Sequence, residues 1–122
     1  MSPSNLEFGR RVRELREAKK KIDPAFSLRR FAQAVGISAT FLSKVENGES
    51  LPPSAGTIKR IATQLGADAD ELLALAGKVD PDLPAIIREM PRAMADFLRT
   101  AREKGLTDED IKRLTDTIKK GK

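Results

Sequence analysis

Residues 26–48 read FSLRRFAQAVGISATFLSKVENG, and this stretch decides the fold. Ser27 is a good N-cap for a short helix from Leu28 to Val35, with Leu28, Phe31, Ala32 and Val35 on its inward side. Gly36 closes that helix in a left-handed conformation, and Ile37 plugs the corner. Ser38 caps a second helix, Ala39 to Glu46, which Asn47-Gly48 ends. Only Gly-Ile-Ser separates the two, so the turn is tight and the second helix projects at a steep angle. On that helix Leu42 and Val45 pack inward. Thr40, Ser43, Lys44 and Asn47 stand at i, i+3, i+4 and i+7 and form one polar face, with the small Ala39 beside it. A helix with a small polar outer face can approach base edges closely, and a B-form major groove admits it.

Outward from this stretch, every periodic segment repeats at helical spacing. A first helix is expected from about Asn5 to Lys20, with Leu6, Phe8, Val12 and Leu15 on its apolar side and Lys19-Lys20-Lys21 at its C-terminal end. After Leu51-Pro52-Pro53, a fourth helix covers about Ala55 to Leu65 and a fifth, capped by Asp68, about Ala69 to Ala76. Val79 to Asp82 reads as a linker. Beyond it Leu83, Ile87, Met90, Met94, Phe97 and Ala101 recur at steps of four and three, a heptad-like stripe. Pro91 is awkward inside one helix, so two are expected to meet near Met90. Thr107 with Asp110 resembles a capping box and opens a last helix carrying Ile111, Leu114 and Ile118. The expected organisation is all-α: a five-helix domain over residues 1–78 and a helical extension over residues 79–122.

Composition removes whole classes of chemistry. The 122 residues contain no Cys, His, Trp or Tyr. Neither a zinc finger nor a thiolate or imidazole nucleophile can be assembled, and disulfides are impossible. Asp and Glu are scattered over helix surfaces, so no acid–base pair or metal cluster is expected; the chain reads as a non-enzyme without a cofactor or metal. The start has no apolar leader region and no run approaches membrane-spanning length, which by default implies a cytoplasmic location and no membrane partner. The net charge is +5. Residues 1–60 hold 12 Lys/Arg against 6 Asp/Glu, and the remainder 11 against 12, so the excess lies in the N-terminal half. That imbalance fits a phosphate-facing surface or a solvated one.

With these residues in view, the segment resembles the helix-turn-helix of the Cro/repressor-like family, also called the XRE family. Leu15-Arg16 upstream, the Leu-Ser-Lys-Val-Glu-Asn-Gly ending and the Pro-then-helix-then-Leu-Gly continuation all match, over about residues 6–77. The resemblance implies that Ala39, Thr40, Ser43 and Lys44, starting from Ser38, lie against bases or adjacent phosphates. Asn47 and the loop after Gly48 would grip the DNA backbone, and Ser27 would meet a phosphate at a helix N-terminus, which free N–H groups favour. Arg16 and Glu46 match a family pair that forms an internal salt bridge bracing the recognition helix.

The chain departs from the family pattern in three places. Leu28 stands where the family often has a phosphate-binding Gln, leaving that contact to Arg29 or Arg30. The first turn is lengthened into a basic loop over Glu17–Ala25. Basic residues often seen after the Asn-Gly are replaced by Glu49-Ser-Leu-Pro-Pro, which shifts backbone affinity toward Arg10, Arg11, Arg13 and Lys19–Lys21. Phe41 reads as packing, Lys59 and Arg60 as a solvated helix face. Lys19–Lys21 fits DNA contact or a helix end equally.

The function implied is a DNA-binding transcriptional regulator, a repressor occupying a palindromic operator in double-stranded DNA as a homodimer. Ile87, Met90, Met94, Phe97, Ile111, Leu114 and Ile118 form the candidate dimerisation surface; folding back onto the domain is the alternative. A second class is an antitoxin or adaptor whose C-terminal helices bind a partner protein. The PRAMADFLRTAR stretch followed by LTDED resembles short repressors that a partner metallopeptidase cleaves.

Overall fold

Five of the helix starts described are fixed by side chains. Ser27, Ser38, Ser54, Asp68 and Thr107 each accept a hydrogen bond from the backbone N–H three residues on, at 3.0–3.3 Å. Each cap satisfies one amide that the first helical turn leaves without a partner. A computed structural model describes residues 3–121, and among them the chain is all-α, with no strand. The helices are α1 (Pro3–Lys20), α2 (Leu28–Val35), α3 (Ala39–Glu46), α4 (Ala55–Leu65), α5 (Ala69–Leu75), α6 (Asp82–Glu89), α7 (Pro91–Glu103) and α8 (Asp108–Lys120). No helix among the described residues is long and apolar enough to cross a membrane.

The chain divides into two compact units, one up to Pro81 and one from Asp82 on. The first contains the whole core: Phe8 and Val12 of α1, Phe31, Ala32 and Val35 of α2, Leu42 and Val45 of α3, Ile58, Ile61, Ala62 and Leu65 of α4, and Leu72, Leu73 and Ala76. Burying some ten large apolar side chains at about 1.5–3 kcal/mol each is what holds the five helices together, since α2 to α5 are too short to persist alone. Phe41 packs partly against this core, as expected of it.

Two expectations need correction. The stretch from Glu17 to Ala25 is not a long loop. The α1 helix runs to Lys20, and Asp23 then caps a 3-10 turn at Pro24–Phe26 by accepting from Ala25 N–H at 2.9 Å. Proline at the first position of that turn has no N–H to lose. Lys19 Nζ lies 5.7 Å from the Phe26 ring centroid, a cation over an aromatic face at the helix end.

Nor are Lys59 and Arg60 a merely solvated face. Lys59 Nζ pairs with Asp80 at 2.9 Å. Arg60 donates from Nε to the Val35 carbonyl at 3.1 Å and from Nη2 to Thr57 Oγ1 at 3.0 Å. Val35 is the last residue of α2, so Arg60 satisfies a carbonyl at the negative end of that helix and ties α4 to it. Arg60→Ala is expected to lower stability by about 1–2 kcal/mol, read as a fall in the melting midpoint without loss of helix content. An unchanged midpoint would show that water replaces the bond at no cost.

In the second unit, α6 and α7 meet at Met90, with Pro91 opening α7. The capping box at Thr107 is complete: Thr107 N–H donates to Asp110 Oδ2 at 2.9 Å, and Asp110 N–H to Thr107 Oγ1 at 3.1 Å. Bonds from the Thr107 backbone N–H foremost, then from the Thr107 side chain and Arg113, hold the Asp110 carboxyl below its ordinary value. Yet none of the three helices α6, α7 and α8 has a buried residue.

Candidate nucleic-acid interface

The α3 helix is held from behind and from its C-terminal end, which leaves its outer face open. Behind it, Leu42 and Val45 are fully buried. At its end, Gly48 adopts φ +73°, the left-handed conformation that returns the chain, and a Cβ there would stand 2.5 Å from Leu6 Cδ2 of α1. Gly48 N–H donates to the Val45 carbonyl at 3.0 Å and Glu49 N–H to the Lys44 carbonyl at 2.8 Å, so the last carbonyls are satisfied.

Glu46 and Arg16 form the strongest tie. Arg16 Nε donates to Glu46 Oε2 at 2.7 Å and Nη2 to Oε1 at 2.9 Å, a fork-on-fork pair with both side chains almost wholly buried. Arg16 also donates to the Phe26 carbonyl at 3.0 Å and to Glu17 Oε1 at 3.3 Å. One guanidinium therefore joins α1, the 3-10 turn and α3. The Glu46 hydrogen bonds raise Arg16 above its ordinary value, overcoming the opposing effect of burial. A second arginine of α1, Arg13, donates to Asn47 Oδ1 at 3.3 Å and lies 3.9 Å from Glu46. Asn47 keeps its amide donors for another partner.

The face that remains is small. Ala39, Thr40, Ser43, Lys44 and Asn47 line one open depression, together with Leu28 and Glu49. Thr40, Lys44 and Asn47 are exposed, Ala39 and Ser43 half-buried. Ser27 and Ser38 cap the two helices that border it, so their hydroxyl oxygens are engaged with Arg30 N–H and Phe41 N–H. Arg29 and Arg30 are exposed on the first turn of α2.

Two features escaped the sequence reading. Leu28 and Glu49 share the depression with the polar face, a placement that a face-by-face reading of one helix does not give. Gly9 sits inside α1 where a Cβ would stand 2.1 Å from the Val45 carbonyl oxygen and 2.9 Å from that of Glu46. A glycine within an otherwise good helical pattern was the signal available for it.

The candidate dimerisation residues lie on the second unit. Met90, Phe97, Leu114 and Ile118 are exposed, and Ile87, Met94 and Ile111 half-buried. Phe97, with Ala93, Ala101 and Leu106, lines a mostly apolar groove along α7.

Comparison with known proteins agrees with this architecture. The helix-turn-helix domain family matches residues 7–75. An uncharacterized HTH-type transcriptional regulator of Bacillus subtilis (strain 168), RghRB, is 38% identical over 89 residues, 73% of this chain and 57% of the relative. The HTH-type transcriptional repressor RghR of the same organism is 33% identical over 73 residues, 60% of this chain and 50% of the relative. A third B. subtilis protein, the uncharacterized HTH-type transcriptional regulator YazB, is 40% identical over 65 residues, 53% of this chain and 86% of its own. The chain thus spans about half the length of RghRB and RghR. No solved structure matches it. Over more than half its length, and with the tight turn and open second helix that the motif requires, the chain belongs to the helix-turn-helix domain family, in its XRE-like form.

Proposed function

We propose that the chain is a DNA-binding transcriptional regulator, a repressor that blocks a promoter by occupying a two-fold-symmetric operator as a dimer. The observation that carries this reading is the open face of α3: Thr40, Ser43, Lys44 and Asn47 share one depression, while everything behind them is locked to the core. Such a face matches the donors and acceptors on base edges in the major groove. Ser27 and Arg29 at the start of α2 would meet a flanking phosphate, where the amides of a helix start favour an anion. The similarity to RghR, named a repressor, supports the sign of regulation.

Lys44 is assigned to a guanine, whose major-groove edge offers two acceptors. Lys44→Ala is expected to lower discrimination by about 1–3 kcal/mol at one base pair per half-site. Equal weakening on specific and random DNA would make Lys44 a phosphate contact instead.

Pairing is assigned to the second unit. Its stripe of Ile87, Met90, Met94 and Phe97, with Ile111, Leu114 and Ile118, leaves apolar surface that a second copy would cover, and two-fold pairing sets half-sites about 34 Å apart. The whole core lies before Lys78, so a chain of residues 1–78 should fold, remain monomeric and bind more weakly. A full-length chain that stays monomeric until a partner protein is added would favour the adaptor reading. Selection of bound sequences from a random DNA pool tests the whole proposal: a two-fold-symmetric motif is expected, and no enrichment would overturn it.

A further inference from the structure

The depression on the reading face holds two apolar side chains that the assigned polar contacts leave unused, Leu28 and Ala39. Each is the first residue after a capping serine: Ser27 pins the start of α2 and Ser38 the start of α3. Both are half-buried, with one side packed against the core and the rest exposed on the same surface as Thr40, Ser43 and Lys44. The Leu28 and Ala39 side chains offer a phosphate no donor, whatever the backbone amides beside them do.

Base edges in the major groove present a single apolar group, the C5 methyl of thymine. Resting on the reading proposed above, we infer that Leu28 and Ala39 form a methyl-recognising ledge that specifies a thymine in each half-site, next to the base pair read by Lys44. The departure of Leu28 from the family's polar residue is then a specificity device. It exchanges a sequence-independent phosphate contact for a sequence-dependent one. The same chemistry would accept the methyl of 5-methylcytosine.

The test begins with the operator selected from the random pool. Each of its thymines is replaced in turn by deoxyuridine, which removes the methyl and nothing else. With the wild-type chain, one thymine per half-site should cost about fourfold in affinity, and both together about fifteenfold, the factors that burying one and two methyl-sized groups command. For Leu28→Ala, compared at a temperature where the variant is fully folded, the uracil penalty should shrink to the part that Ala39 alone can supply. At the same position a 5-methylcytosine·guanine pair should bind better than cytosine·guanine, which identifies the methyl rather than the pair as the group read.

The failures separate. A symmetric operator whose thymines all tolerate uracil overturns this inference alone. A uracil penalty that survives undiminished in Leu28→Ala assigns the methyl to a side chain other than Leu28 and overturns it as well. No enriched sequence at all overturns the DNA-binding reading and this inference with it. The uracil scan uses only the wild-type chain, so a poorly folding variant would not remove the test.

Discussion

Glu46→Ala is expected to destabilise the N-terminal unit by about 3–5 kcal/mol, the usual cost of removing one partner from a buried ion pair. The magnitude follows from what is left behind. Arg16 would keep its charge, since a guanidinium is too basic to give up its proton in a protein, and would stay almost wholly buried with only the Phe26 carbonyl and the exposed Glu17 for partners. A charge held away from water without a counter-charge is costly whatever else it touches. A unit of about 80 residues has only about 5–15 kcal/mol in total, so this single change consumes much of its stability. The double variant Arg16→Met, Glu46→Leu should recover most of the loss, because replacing both partners by apolar groups of similar volume is often neutral or better. Thermal and urea unfolding of the single and double variants check it. A loss below about 1 kcal/mol for Glu46→Ala would mean that water reaches Arg16 and that the pair is a surface one.

The same experiment carries a functional readout. Glu46 is the last residue of α3, and it is the residue through which Arg16 holds that helix. If bracing sets the pose of the reading face, the double variant should fold well yet bind its operator less specifically than wild type. Stability and specificity would then separate on one pair of residues.

How much of this was legible differs from element to element. The bounds of α2 and α3 could be read because Ser27, Gly36, Ser38 and Gly48 act locally, each fixing one end within three or four residues. Arg16 and Glu46 are thirty residues apart, and no local pattern joins them; only the resemblance to a family suggested their pairing. Arg60 was misread because an arginine on a polar helix face gives no sign that the carbonyl end of α2 lies within reach. The break at Met90–Pro91 was visible in the chemistry of proline. What covers the stripe on either side of it was not, since periodicity shows that a face is apolar and says nothing of its partner. Leu28 was noticed as a departure, but its neighbourhood with Ala39 depends on the angle of the turn.

Gly9 is the residue whose importance no reading of pattern could size, and Gly9→Ala is expected to cost about 3 kcal/mol, the upper end for overpacking. Two effects oppose each other. Alanine favours a helix over glycine by about 1 kcal/mol, and Gly9 lies well inside α1. Against that, the added Cβ would stand 2.1 Å from the Val45 carbonyl oxygen and 2.9 Å from that of Glu46. Both obstacles are backbone atoms at the end of α3, so no side chain can swing aside; α1 and α3 must separate. Separation lengthens the Arg16–Glu46 bonds in the same crossing and lifts α3 from its seat, so affinity for the operator should fall along with stability. Gly56 supplies the contrast. It lies in α4, where a Cβ would meet nothing nearer than 4.0 Å, so Gly56→Ala should be neutral or stabilise by up to about 1 kcal/mol. One substitution made at two helical glycines should thus change sign, and the difference isolates the crossing from helix propensity. If Gly9→Ala melts at or above the wild-type midpoint, propensity has won, and the two helices are not held at the distance on which the bracing of the reading face depends.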